Sequence, residues 1–153
     1  MGLMPILFLG AVCGLIAAIV MNLFMRAVGR SFGRSADMVR ALGSFFTGKL
    51  ENADSVGSAI HAGSGICFGM IYLTIMDALG ALVFPQAIFL GLGIGFAHGL
   101  VTSYALMIFA SERHPLEDYR KATMQEGALH FFGHLIFGVV TGLLGGLIAM
   151  GLS

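Results

Sequence analysis

Four long stretches without a single Asp, Glu, Lys or Arg constrain this chain more than any other feature. They cover residues 1–25, 55–76, 78–111 and 127–153. Each is long enough to cross the roughly 30 Å hydrocarbon core of a bilayer as a helix, which takes about 20 residues. Hydrophobic residues make up 58% of the chain and charged residues only 10%, against about 25% charged residues in an average soluble protein. The sequence therefore predicts an integral membrane protein.

The four stretches predict an all-α integral membrane fold, with one four-transmembrane-helix bundle as the single domain over residues 1–153. The predicted helices cover about residues 5–28, 56–78, 84–111 and 125–150. A short amphipathic helix is predicted in the connection between the first two, where Ser35 is a suitable cap. Its apolar face is formed by Met38, Val39, Leu42, Phe45 and Phe46. We expect this short helix to lie in the cytoplasmic membrane interface.

The basic residues predict how the bundle is oriented. All eight Lys and Arg residues lie in two connections, from Arg26 to Lys49 and from Arg113 to Lys121. The remaining connection carries only Asp77. Short loops rich in Lys and Arg stay in the cytoplasm, so we expect both termini to lie outside. The net charge of zero gives no indication of a nucleic acid partner, and the bilayer is the partner that the sequence predicts.

Ionisable residues follow a regular spacing on the last predicted helix. Glu126, His130 and His134 are four residues apart, and residues at that step share one face of a helix. The glycines that continue the same step are Gly138, Gly142 and Gly146. His61 and His98 lie on the second and third predicted helices, also beside glycines. Ionisable groups at membrane depth usually face the bundle interior, so we expect all five side chains in its cytoplasmic half.

This set of residues predicts a metal site. Imidazole binds zinc, copper and iron, and helical bundles form metal sites from facing Glu and His side chains. We therefore expect a transition-metal ion, iron, copper or zinc, in a membrane-embedded binding protein that is a subunit of a larger redox or transport complex. The expected ligands are His61, His98, Glu126, His130 and His134. The pattern does not decide whether the protein is an enzyme.

Three other interpretations stay open. Facing histidines, either His61 with His130 or His98 with His134, could bind haem b as axial ligands. A series of Glu and His side chains could conduct protons or ions. In a structural or accessory subunit, the histidines would serve only as hydrogen-bonding groups between helices. A fifth histidine, His114, lies in a polar loop and is expected to be solvated.

Glycine ladders predict close helix contacts. Small residues at steps of four let two membrane helices approach until their backbones touch. The ladders are Gly10 and Gly14, Gly65 and Gly69, Gly91, Gly95 and Gly99, and Gly138, Gly142 and Gly146. These ladders are more numerous than the close helix contacts that one bundle of four helices needs. We therefore expect a homo-oligomer or assembly with another membrane subunit.

Two short segments carry a resemblance to known families. GLIAAIVMN at residues 14–22 and GHLIFG at residues 133–138 resemble parts of uncharacterised four-helix bacterial inner-membrane protein families. In those families a His-x-x-x-Gly pattern recurs in the fourth helix. The resemblance implies a compact helical protein of the bacterial inner membrane, and it implies no activity.

Overall fold

The computed structural model describes residues 2–31, 38–121 and 123–151. In these residues the chain forms five α-helices: α1 Leu3–Ser31, α2 Met38–Thr47, α3 Ala53–Ala78, α4 Gln86–Arg113 and α5 Met124–Gly151. A 3-10 helix, Glu117–Lys121, precedes α5. The four long helices are long and apolar enough to cross a membrane. The prediction of a helical chain with four candidate spans is confirmed, and each predicted helix end lies within three residues of the observed one.

The helices pack as two units that follow each other along the chain. The N-terminal unit contains α1, α2 and α3, and the C-terminal unit contains α4 and α5. The units are joined mainly where α1 packs against α5. Although α3 and α4 are consecutive, they scarcely touch, and this leaves one side of the bundle open.

Backbone contacts at glycines hold each unit together. A Cβ atom added at any of these glycines would overlap the backbone of the neighbouring helix, so only glycine permits the observed approach. The glycines are Gly10, Gly14 and Gly69 between α1 and α3, Gly43 and Gly57 between α2 and α3, and Gly91, Gly95, Gly138 and Gly142 between α4 and α5. The ladders are thus used inside the chain. Self-association stays a prediction, and the ladders no longer argue for it.

The short helix α2 packs against the protein as well as being amphipathic. Arg40 of α2 forms a 3.5 Å ion pair with Asp54 at the start of α3. Three residues of α2 are buried, namely Val39, Gly43 and Ser44. The predicted helix is therefore present, and its location in the membrane interface stays a prediction. Ser35, its predicted cap, lies outside the described residues.

Side chains, rather than backbone contacts, fill the seam between the two units. A Cβ atom added at Gly133 of α5 would lie 3.0–3.2 Å from side-chain atoms of Met21 and Met25 of α1. Leu73 of α3 lies in the same way against Gly145 of α5. These apolar side chains are buried and belong to one hydrophobic core that continues across the seam.

Candidate histidine-lined site

A cavity of about 310 Å³ lies on the open side of the bundle. Helices α3 and α4 form its walls, α1 and α5 form its floor, and Leu42 of α2 closes one end. Four histidines predicted to lie in the membrane line it: His61, His98, His130 and His134. The described residues that line the cavity include no Asp, Glu, Lys or Arg. The structure thus places these four imidazoles around one apolar space.

Three of the imidazole rings follow each other in contact. The ring centroids of His98 and His134 are 4.3 Å apart, and those of His134 and His130 are 4.7 Å apart. The other side of His98 packs on Phe68, with the ring centroids 3.9 Å apart. A Cβ atom at Gly99 would lie only 2.8 Å from Cβ of His134. Glycine at this position therefore lets α5 bring His134 up to His98.

Hydrogen bonds from two of the histidines cross between helices. Nε2 of His61 donates to the carbonyl oxygen of Ala18 in α1, at 3.2 Å. Nδ1 of His98 is 3.0 Å from the hydroxyl oxygen of Tyr72 in α3, and Tyr72 is buried. The second bond joins the two walls of the cavity, because His98 belongs to α4. Because this bond uses Nδ1, Nε2 is the nitrogen of His98 that remains available to a ligand.

Three imidazole nitrogens at this site are buried without a hydrogen-bond partner. They are Nε2 of His98 and both ring nitrogens of His134. By contrast, Nδ1 of His130 is 3.4 Å from the hydroxyl oxygen of Ser103. A buried polar atom without a partner destabilises a fold by about 1–3 kcal/mol, and in native structures an unseen water or ion often satisfies it. A water molecule or another bound group at this place would supply the hydrogen bonds that these three nitrogens lack.

The side chains do not converge on one point in this structure. In the described part of the chain, no three or more His, Cys, Asp and Glu side chains are arranged so that they could hold one metal ion. His98 and His134 are the pair of adjacent rings that have unpartnered nitrogens. The side chain of Met21 also lines the cavity and offers a thioether sulfur. A site with three or more ligands would require rotation of these side chains.

Glu126, the fifth predicted ligand, lies at the start of α5 and is not among the cavity-lining residues. Its carboxylate accepts hydrogen bonds from the backbone N–H and the hydroxyl of Thr123, at 2.7 and 3.1 Å. The N–H of Glu126 is in turn 3.4 Å from the hydroxyl oxygen of Thr123. This reciprocal pair is a capping box with the pattern Thr-x-x-Glu. In this arrangement Glu126 stabilises the start of α5.

His114 is buried, with 2% of its surface exposed, so the expectation of a solvated loop histidine is wrong. Its Nε2 donates to the carbonyl oxygen of Ala41 in α2 at 3.0 Å. Its Nδ1 accepts a hydrogen bond from the N–H of Leu116 at 3.1 Å. Both ring nitrogens of one neutral tautomer are thereby satisfied. His114 ties α2 to the segment that follows α4.

Sequence reasoning missed Met21 and Tyr72 as parts of the site. Tyr72 follows His61 by eleven residues, which is three turns of a helix and returns to the same face. Met21 follows Cys13 by eight residues and lies on the same buried face of α1. Helical spacing was the available signal in both cases, and it does not distinguish a residue at a site from one in the core.

No protein-family model, curated protein or solved structure matches the chain. The resemblance of residues 14–22 and 133–138 to bacterial inner-membrane families therefore stays untested.

Proposed function

We propose that the protein binds a transition-metal ion in its histidine-lined cavity, as a subunit of a membrane redox or transport complex. The observation that carries the proposal is the set of three buried, unpartnered nitrogens on His98 and His134. An ion would give Nε2 of His98 and one ring nitrogen of His134 the partner that they lack, while the other nitrogen of His134 carries the proton. His61 and His130 line the same cavity and are the further nitrogen donors. Glu126 is left out of this ligand set because its carboxylate caps α5.

The available donors favour monovalent copper over iron or zinc. The described cavity lining offers imidazoles and the thioether of Met21, and it offers no carboxylate. A divalent ion would keep its full charge in an apolar space, where an uncompensated charge is strongly unfavourable. A monovalent ion carries less charge, and thioether ligands select Cu(I). We assign His98 and His134 as the central ligands, with His130 and Met21 reaching the ion by rotation.

Replacing His134 by glutamine tests this proposal, because glutamine retains a hydrogen-bonding side chain but is a poor metal ligand. We expect His134→Gln and His98→Gln each to lower the copper content of untagged protein at least roughly tenfold, a loss typical of disturbed metal sites. His114→Gln, outside the cavity, should retain the parental content. Copper per protein chain is measured by elemental analysis of protein purified from copper-supplied cells.

Two results of the same experiment would reject a copper site. Copper-free parent protein, or parental copper content in both glutamine variants, would leave the histidines as helix contacts of an accessory subunit. A Soret absorption band in the purified parent would identify haem b instead. If His114→Gln retains copper while His98→Gln and His134→Gln lose it, the loss comes from removal of a ligand rather than from general damage to the protein.

We propose further that both termini lie outside the cytoplasm, with the protein in the bacterial inner membrane. Support comes from the two basic segments, residues 26–49 and 113–121, which contain all eight Lys and Arg residues. The bond from His114 to Ala41 brings α2 and the residue that follows α4 to the same end of the bundle. The positive-inside rule assigns that end to the cytoplasm.

Labelling of single cysteines tests this orientation after Cys13 and Cys67 have been replaced by alanine. Leu79→Cys and Glu117→Cys introduce cysteines at exposed positions, beyond the ends of α3 and α4 respectively. We expect a membrane-impermeant maleimide to modify Leu79→Cys in intact cells and to reach Glu117→Cys only after lysis. The reverse order of reaction would show the opposite orientation.

A further inference from the structure

The cavity has much more room than an ion needs. An ion at His98 and His134 would fill only a small part of its 310 Å³. The remaining walls are apolar, with Ile60 and Phe68 on α3 and Leu106 on α4. Pockets for organic ligands have volumes of about 300–1,000 Å³ and combine apolar walls with a few polar groups. The volume and lining therefore suit an organic ligand beside the histidines.

The mouth of the cavity lies between α3 and α4, on the outer surface of the bundle. Ser64 of α3 and Ala105 and Phe109 of α4 line the cavity and are exposed on this surface. The ring of Phe45 in α2 packs edge-on against Phe109, with centroids 6.2 Å apart, beside the end that Leu42 closes. With α3 and α4 spanning the membrane, this mouth faces lipid. A ligand would enter from the hydrocarbon region rather than from water.

We propose that the cavity binds a bilayer-dissolved amphiphile with a planar, uncharged, carbonyl-bearing ring of the quinone type. The ring lies beside the histidines and the alkyl tail extends into the lipid between α3 and α4. Phe68 of α3 and Phe109 of α4 both line the cavity, and aromatic rings pack favourably against one another. The lack of charged side chains among the described lining residues disfavours anionic head groups. This inference does not depend on the proposed copper ion.

In protein that holds no ion, the unpartnered histidine nitrogens suit the carbonyl groups of such a ring. When the hydroxyl of Tyr72 donates to Nδ1 of His98, the proton of His98 is on Nε2, which then offers an N–H. His134 has no partner at either nitrogen, so it offers one N–H in each neutral tautomer. Small rotations of these rings let them donate to carbonyl oxygens. The hydrogen bonds orient the ring, and apolar contact with the walls retains it.

An introduced tryptophan can report binding without background, because the chain contains none. Phe109→Trp places the reporter at the mouth, whereas Phe96→Trp places it on α4 beside Phe131, outside the cavity. The protein is reconstituted in liposomes, which contain no other protein, and titrated with decylbenzoquinone, which quenches tryptophan fluorescence. We expect saturable quenching of Phe109→Trp and only linear, non-saturating quenching of Phe96→Trp.

A pair of alanine substitutions then locates the bound probe. Ala105 and Ala97 are both exposed on α4, but only Ala105 lines the cavity. In the Phe109→Trp protein, we expect Ala105→Phe to fill the mouth and weaken saturable binding at least roughly tenfold. Ala97→Phe should bind the probe like the parent. Both variants leave His98 and His134 unchanged, so their copper content should stay parental.

The outcomes separate this inference from the proposed copper site. Linear quenching at both reporters, or equal saturable binding in Ala105→Phe and Ala97→Phe, would overturn the amphiphile site whatever the copper content. Saturable, Ala105-dependent binding in copper-free protein would support the amphiphile site and reject the copper site alone.

Discussion

Replacing Gly69 by leucine is expected to lower the free energy of unfolding by about 3 kcal/mol, the upper part of the range typical of overpacking. A Cβ atom at Gly69 would overlap the carbonyl oxygen of Gly10 and the backbone of Gly14. Neither is the end of a flexible side chain that could move aside, so α1 and α3 must separate. The measurement is unfolding in mixed micelles with increasing SDS, followed by circular dichroism.

The matched control is Gly63→Leu on the same helix. A Cβ atom at Gly63 would have no atom within 4 Å, and we expect this variant to unfold within about 0.5 kcal/mol of the parent. The two variants make the same chemical change in α3, so their difference isolates the contact with α1. An equal loss of stability in both would contradict the assignment of Gly69 to a critical helix contact.

His114→Ala is expected to release α2 from the segment that follows α4. The substitution removes the bond to the carbonyl oxygen of Ala41 and leaves the N–H of Leu116 without its acceptor. Loss of such buried bonds destabilises by about 2 kcal/mol, so amide hydrogen exchange in residues 38–47 should become roughly 30-fold faster. Exchange is measured by mass spectrometry of peptides that cover α2.

Two isosteric substitutions distinguish the bonds of His114. Glutamine can place an amide N–H near the position of Nε2 and donate to Ala41, whereas asparagine can only place an acceptor near Nδ1 for Leu116. We therefore expect slow exchange of α2 in His114→Gln and fast exchange in His114→Asn. If asparagine protected α2 as well as glutamine does, the bond to Ala41 would not be what restrains the helix.

The helices could be predicted from the sequence because their signals are local. Uncharged stretches of spanning length fixed the positions of α1, α3, α4 and α5, and the charges that interrupt them fixed the helix ends to within a turn. The short apolar pattern from Met38 to Phe46 was enough to place α2. These features depend on neighbouring residues, so no knowledge of the tertiary fold was required.

Which polar residues belong to the site was harder to predict, because Glu126 and His114 have partners outside the cavity. Glu126 shares a helix face with His130, but a local partner, Thr123, takes up its carboxylate. The Thr-x-x-Glu pattern was visible in the sequence and indicated this competition. His114 is buried in part because α2, 73 residues earlier at Ala41, packs against it. No spacing within the loop could reveal that contact.

The glycine ladders illustrate a different limit. Their step of four correctly indicates that helices approach closely, but it does not say which ladder faces which. The ladder of α4 could have faced another chain, and in the structure it meets Gly138 and His134 of α5 instead. Pairing is decided by the complete three-dimensional arrangement.

The side chains that fill the seam between the two units determine where the units can move relative to each other. Backbones that touch at glycines are stiff, because a small displacement already makes them collide. Met21 and Met25 against Gly133 form a compliant joint instead, since methionine has three rotatable bonds and adapts its shape. We therefore expect relative motion of the two units to be concentrated where α1 packs against α5. Motion along this seam would separate α3 from α4, with loss of the bond between Tyr72 and His98, while the glycine contacts inside each unit stay closed.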